Sequence, residues 1–107
     1  MSTTEKPVRL DGRDDLEALL ADHDRVVVDF YTKGCTLCQS IEPVLGNVAR
    51  AADVTVGMLN PREALGLVEE YDIRSVPTLV LFEDGTEIDR MADGFRGTDA
   101  VVEFVEQ

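Results

Sequence analysis

The chain has no tryptophan, one histidine and two cysteines among its 107 residues. The shortage of nitrogen and sulfur ligands argues against a metal centre, because zinc takes about four of them and the two cysteines with His23 fall short. His23 reads instead as a surface histidine or as a charge at a helix C-terminus. Lysine is confined to Lys6 and Lys33, and with eight arginines these face 22 acidic residues, for a formal net charge of −12. Phosphate binding needs a basic face, so nucleic acid and anionic membrane are excluded as partners. Long apolar runs are missing as well: none approaches the roughly 20 residues of a membrane span. The opening "MSTTEKPVRL" holds no stretch that could serve as a signal sequence. A cytoplasmic protein is expected.

What is present suits one ordinary core. A chain of this length with 44% apolar residues predicts a single domain over residues 1–107, with residues 1–6 as a flexible N-terminus. The acidic excess has two readings. One is a well-solvated surface that maintains solubility; the other is adaptation to concentrated salt, where counter-ions screen the self-repulsion.

Hydrophobic periodicity changes repeatedly along the chain. Residues 8–10, "VRL", predict a short strand, and "DGRDDLEALLADHD" predicts a helix capped by Asp11 or Asp14 with Leu16, Leu19 and Leu20 on its apolar face. "RVVVDFYT" is apolar without alternation until Asp29, the pattern of a central strand buried on both faces. Cys38, Ile41, Leu45, Val48 and Ala52 then fall three or four apart on a helix that contains Pro43. "VTVGML" predicts a strand and "PREALGLVEEYD" a helix with Pro61 in its first turn. In the last third "EDGT" predicts a two-residue turn of an antiparallel hairpin, and Val101, Phe104 and Val105 mark the buried side of a closing helix. The order is β-α-β-α-β-α-β-β-α, an α/β fold with a mixed sheet covered by helices.

Both cysteines lie in "KGCTLCQS", residues 33–40. As a structural staple the pair would close a loop of four residues, worth roughly 2 kcal/mol, and a cytoplasm keeps such disulfides reduced. Redox chemistry fits better. The motif falls between a buried strand and an amphipathic helix, which places Cys35 at the helix N-terminus, where free N–H groups and the dipole stabilise a thiolate. Cys38 falls one turn further in, on the same side and within disulfide reach. Cys35 is the expected exposed nucleophile and Cys38 the shielded thiol that resolves the mixed disulfide.

With these residues in view, the sequence resembles the thioredoxin family along nearly its full length. The likeness rests on "VVVDFYT" leading into the Cys-x-x-Cys, on Pro43 in the following helix, on "LNPREALGLVEEYDIRSVPTLVLFEDG", and on Gly94 before the last helix. The resemblance implies the thioredoxin fold, with helices on both faces of the sheet, and a dithiol/disulfide cycle at Cys35 and Cys38. It makes Asp29 the buried carboxylate that accepts a proton from the resolving cysteine, and Pro77 a cis-proline facing the disulfide. A cis bond there would leave the Val76 N–H and C=O free to pair with an extended substrate peptide. Gly34, Val76, Pro77 and Gly94 are the implied substrate-binding positions, and Phe30 and Tyr31 are core and site-wall aromatics.

Three positions depart from the family pattern. Gly34 stands where thioredoxins usually carry tryptophan, Thr36-Leu37 replaces Gly-Pro between the cysteines, and Met58 stands where a lysine is common near the buried aspartate. The expected function is reduction or exchange of protein disulfides, with a thioredoxin reductase as electron donor, no bound cofactor, no metal, and a monomeric chain. Two rivals remain at this point: a glutaredoxin-like enzyme served by a low-molecular-weight thiol, and a module that holds clients in the groove around Pro77 without electron transfer.

Overall fold

A computed structural model describes residues 6–92 and 97–107. The flexible terminus expected over residues 1–6 therefore lies outside the described residues, apart from Lys6. Elements appear in the order that the periodicity predicts: β1 (Val8–Leu10), α1 (Arg13–Asp22), β2 (Arg25–Phe30), α2 (Thr36–Ala51), β3 (Thr55–Leu59), α3 (Leu65–Glu70), β4 (Thr78–Glu83), β5 (Thr86–Met91) and α4 (Thr98–Val105).

The five strands form one sheet in the order β1-β3-β2-β4-β5. β3 pairs parallel with both β1 and β2, whereas β4 runs antiparallel to β2 and β5 antiparallel to β4. β2 is thus central, and the unbroken run Val26–Phe30 is buried throughout, which is why the sequence shows no polar alternation there. Side chains of β2 divide between two cores. Val27 joins Met58, Leu79 and the apolar faces of α2 and α4, while Val26, Val28 and Phe30 join Leu16 of α1 and Leu67 of α3. Asp29 alternates with Val28 and Phe30, so it shares the α2 side with Val27.

Local sequence accounts for the joints. Asp84 and Gly85 at the β4–β5 turn both have positive φ, 53° and 83°, as a two-residue hairpin turn requires. Gly57 lets α1 close on the sheet, since a Cβ there would lie 2.9 Å from a Leu19 methyl and 3.0 Å from a Leu10 methyl.

Two local expectations change. Neither Asp11 nor Asp14 caps α1; its N-cap is Gly12, with no side-chain bond. Asp15 instead reaches back, its carboxylate accepting from the Asp11 N–H at 2.8 Å, so the negative charge still meets the helix N-terminus, from one position further in. The segment after β3 is also not one helix. Pro61–Glu63 form a 3₁₀ turn capped by Asn60, whose Oδ1 accepts from the Arg62 N–H at 3.0 Å, and Ala64, in a non-helical conformation, separates it from α3.

Candidate redox site

The site forms where β2 ends and α2 begins. Cys35 is the N-cap of α2, with extended backbone, and its sulfur accepts a hydrogen bond from the Cys38 N–H at 3.0 Å. Its carbonyl oxygen accepts from the Gln39 N–H at 3.1 Å, the first bond of the helix. One of the orphan donors of a helix N-terminus is thus spent on sulfur, in the field of the helix dipole; both effects favour a thiolate at Cys35 in the reduced protein. The two cysteines are joined as a disulfide with Cα atoms 5.2 Å apart. Cys35 is half-buried at the surface, while Cys38 is 4% exposed.

Facing them is the segment before β4. The Val76–Pro77 peptide bond is cis, as the resemblance implies. The Thr78 hydroxyl donates to the Ser75 carbonyl at 2.7 Å and ties the two ends of this bend together. The Val76 carbonyl oxygen lies 4.0 Å from the Cys35 sulfur.

Gly34, one of the departures, has φ +79° and open space where a Cβ would project. Conformation and not crowding disfavours tryptophan here, and glycine at this position leaves no side chain beside the disulfide. Leu37 between the cysteines is 45% exposed and supplies an apolar side chain at the rim instead. Gly94, the fourth expected substrate-binding position, lies outside the described residues. Phe30 is buried in the core shared with α1 and α3; Tyr31 is half-buried and lines a cavity of about 230 Å³ together with Cys38.

Asp29 is fully buried, and neither carboxylate oxygen has a hydrogen-bond partner among the described residues. Burial is the main cause that pushes its pKa from the ordinary 3.8 up to about 7. Glu42 on α2 adds to the rise and Arg9 on β1 opposes it. These two are themselves paired at 2.7 Å, and Arg9 also donates to the Tyr31 hydroxyl at 3.0 Å, so the two opposing influences on Asp29 come from one ion pair. Met58 stands directly beside Asp29 in the β2–β3 register, with Arg9 next to Met58 on β1. The Arg9–Glu42–Tyr31 cluster joins residues 22 and 33 positions apart and carries no short-range sequence signal, whereas the Thr78–Ser75 bond is a local one between residues three apart.

Among the described residues no group of three or more histidines, cysteines and carboxylates is placed to hold a metal ion, and no helix is long and apolar enough to cross a membrane.

An N-capping cysteine bridged to a shielded one a turn further along, with the carbonyl of a cis Val76–Pro77 peptide 4.0 Å from its sulfur, is the arrangement of a thiol–disulfide oxidoreductase. Residues 8–107 match the thioredoxin family, and the chain belongs to it. It is 34% identical over 83 residues to a thioredoxin of Chlamydia caviae, covering 77% of this chain and 80% of that one. With a thioredoxin of Mycoplasmoides gallisepticum it shares 36% over 77 residues, 71% of this chain and 77% of the other. Among solved structures, a mutant thioredoxin from Halobacterium salinarum NRC-1 superposes with a TM-score of 0.92 at 33% identity, covering 99% of this chain and 93% of that one. The protein is a protein-disulfide oxidoreductase, and the family match favours this reading over the glutaredoxin-like and purely client-binding alternatives.

Proposed function

We propose that the chain acts as a single thioredoxin domain that reduces protein disulfides, with Cys35 as nucleophile, Cys38 as resolving thiol and Asp29 as proton acceptor. The observation that carries this reading is the asymmetry of the pair: Cys35 caps α2 and takes the Cys38 N–H on its sulfur, whereas Cys38 is shielded. The Cys35 thiolate attacks one sulfur of a substrate disulfide, forming a mixed disulfide and expelling the other sulfur as a thiolate. Cys38 gives its proton toward Asp29 and attacks the Cys35 sulfur. The second substrate sulfur leaves and the Cys35–Cys38 bond forms, so two electrons pass from the dithiol to the substrate. A thioredoxin reductase returns them.

Val76, the cis-Pro77 and the open backbone at Gly34 are the surfaces against which an extended substrate lies, and Gly94 joins them by family resemblance. The reading further takes the chain as a cytoplasmic monomer, in keeping with a redox dithiol that must be kept reduced. It takes the net charge of −12 as adaptation to concentrated salt; the likeness to the Halobacterium salinarum thioredoxin supports this.

Trapping tests the assignment. Cys38→Ser should accumulate a mixed disulfide between Cys35 and a substrate such as insulin, and Cys35→Ser should accumulate none. Equal trapping by both variants would overturn the assignment of roles.

A further inference from the structure

The break after β3 that the sequence does not announce opens a groove beside the redox centre. Pro61 is buried at the start of the 3₁₀ turn, and Leu65, at the start of α3, is 70% exposed. Between this corner and the segment Ile73–Val76 lies a cavity of about 270 Å³, apolar along Pro61, Leu65, Val68 and Ile73. Its far end is Val76, whose carbonyl oxygen is 4.0 Å from the Cys35 sulfur. The space suits one apolar side chain of a segment whose disulfide sits at Cys35.

The charges around this groove run against those of the rest of the chain. With 22 acidic residues to ten basic ones, a surface groove would ordinarily be rimmed by carboxylates, yet among the described residues the charged ones that line it are Arg62 and Arg74. Arg74 is paired with Asp72 at 2.9 Å. Arg62 is different: its exposed guanidinium has no partner among the described residues, where five of the other arginines bond a carboxylate and Arg50 bonds Asn47. An unpaired guanidinium offers a planar fork that matches a carboxylate. In a chain this acidic, a carboxylate-bearing partner is repelled over most of the surface and attracted here, which gives the groove a selective role.

We propose that the groove between the Pro61–Leu65 corner and the Ile73–Val76 segment is a selectivity site for disulfide substrates that carry an apolar residue next to an aspartate or glutamate near the reacting cysteine. The apolar side chain enters between Leu65 and Ile73, and the carboxylate takes Arg62. This rests on the disulfide-reductase reading, and the test separates the two.

Disulfide-linked peptides would be made in matched pairs, with Leu-Glu or Leu-Gln placed a few residues from the cysteine on either side, and their reduction followed as kcat/KM at low ionic strength. The wild-type protein should prefer the glutamate peptide by about threefold to fivefold at low ionic strength, the upper range of one exposed charge pair, and molar KCl should reduce the preference without removing it, because a contact pair lies within about one Debye length. Arg62→Glu should invert it and Arg62→Lys should retain part of it. Leu65→Ser should lower kcat/KM for both peptides without changing their ratio. Equal rates on the two peptides, or a preference that survives Arg62→Glu, would overturn the proposal and leave the reductase reading standing. Failure to reduce either peptide would overturn both.

Discussion

Asp29 and Met58 stand side by side in register on adjacent parallel strands, an acid and a thioether at the same level of the core beneath α2. No cation shares this level within the buried part of the sheet among the described residues; Arg9, one strand further, spends its charge on Glu42 at the surface. The carboxyl of Asp29 is therefore governed by burial.

Restoring a cation at Met58 should change that. In Met58→Lys the ammonium would sit beside Asp29 and favour its charged form, so the Asp29 pKa should fall from about 7 by about one unit or more. The pH dependence of mixed-disulfide resolution should shift down by the same amount. Carboxyl titration followed by NMR in both proteins checks it; an unmoved Asp29 would mean that the lysine has turned away to solvent.

The two thiols of the reduced protein should differ in reactivity. Cys35 lies at the surface at the N-terminus of α2, and Cys38 is shielded one turn further in. Alkylation near neutral pH should modify Cys35 at least about tenfold faster, because thiolate character and access both favour it. Mass spectrometry of partly alkylated protein reads the ratio, and equal rates would remove the basis for calling Cys35 the nucleophile.

Element order, the central position of β2, the hairpin turn and the placement of Cys35 were all legible in the sequence, because each depends on residues within a few positions of one another. Asp29 was legible too, as the one acid in an apolar run. What escaped depends on distant partners. Arg9 meets Tyr31 and Glu42 across 22 and 33 residues, and no local pattern marks that contact. The interruption at Ala64 escaped for a different reason: "PREALGLVEEYD" has good helix formers almost throughout, and the break is imposed by the 3₁₀ turn that Asn60 caps. The groove beside Val76 follows from that break, so it too was invisible.

The acidic surface yields its own expectation. Simple screening of surface charges is nearly complete by 1 M salt, where the Debye length is about 3 Å. If the net charge of −12 is a salt adaptation, Tm should continue to rise from one to several molar KCl, by about 5 °C or more for a domain of this size. Thermal unfolding across that range decides it. A Tm that levels off once screening is complete would leave the carboxylates as ordinary solubilising groups.

Asp29 links stability and catalysis with opposite signs. Its folded pKa of about 7 stands above the ordinary 3.8, so between those values the folded protein binds more protons than the unfolded chain. The Asp29 contribution to stability is then greatest below pH 4, falls as pH rises through this window, and levels off above about pH 7, with a total loss of roughly 4 kcal/mol. Asn at this position cannot ionise, so Asp29→Asn should be more stable than the wild type at pH 8 and close to it at pH 4, as read by urea unfolding of the oxidised protein. Catalysis should move the other way. Without a carboxylate to take the Cys38 proton, Asp29→Asn should resolve a preformed Cys35 mixed disulfide more slowly, by about 10-fold to 100-fold near neutral pH. The deficit should shrink at high pH, where Cys38 loses its proton to solvent. A variant that is stabilised at pH 8 yet resolves at the wild-type rate from pH 6 to 9 would show that Asp29 is only a costly buried group, and its role as proton acceptor would have to be given up.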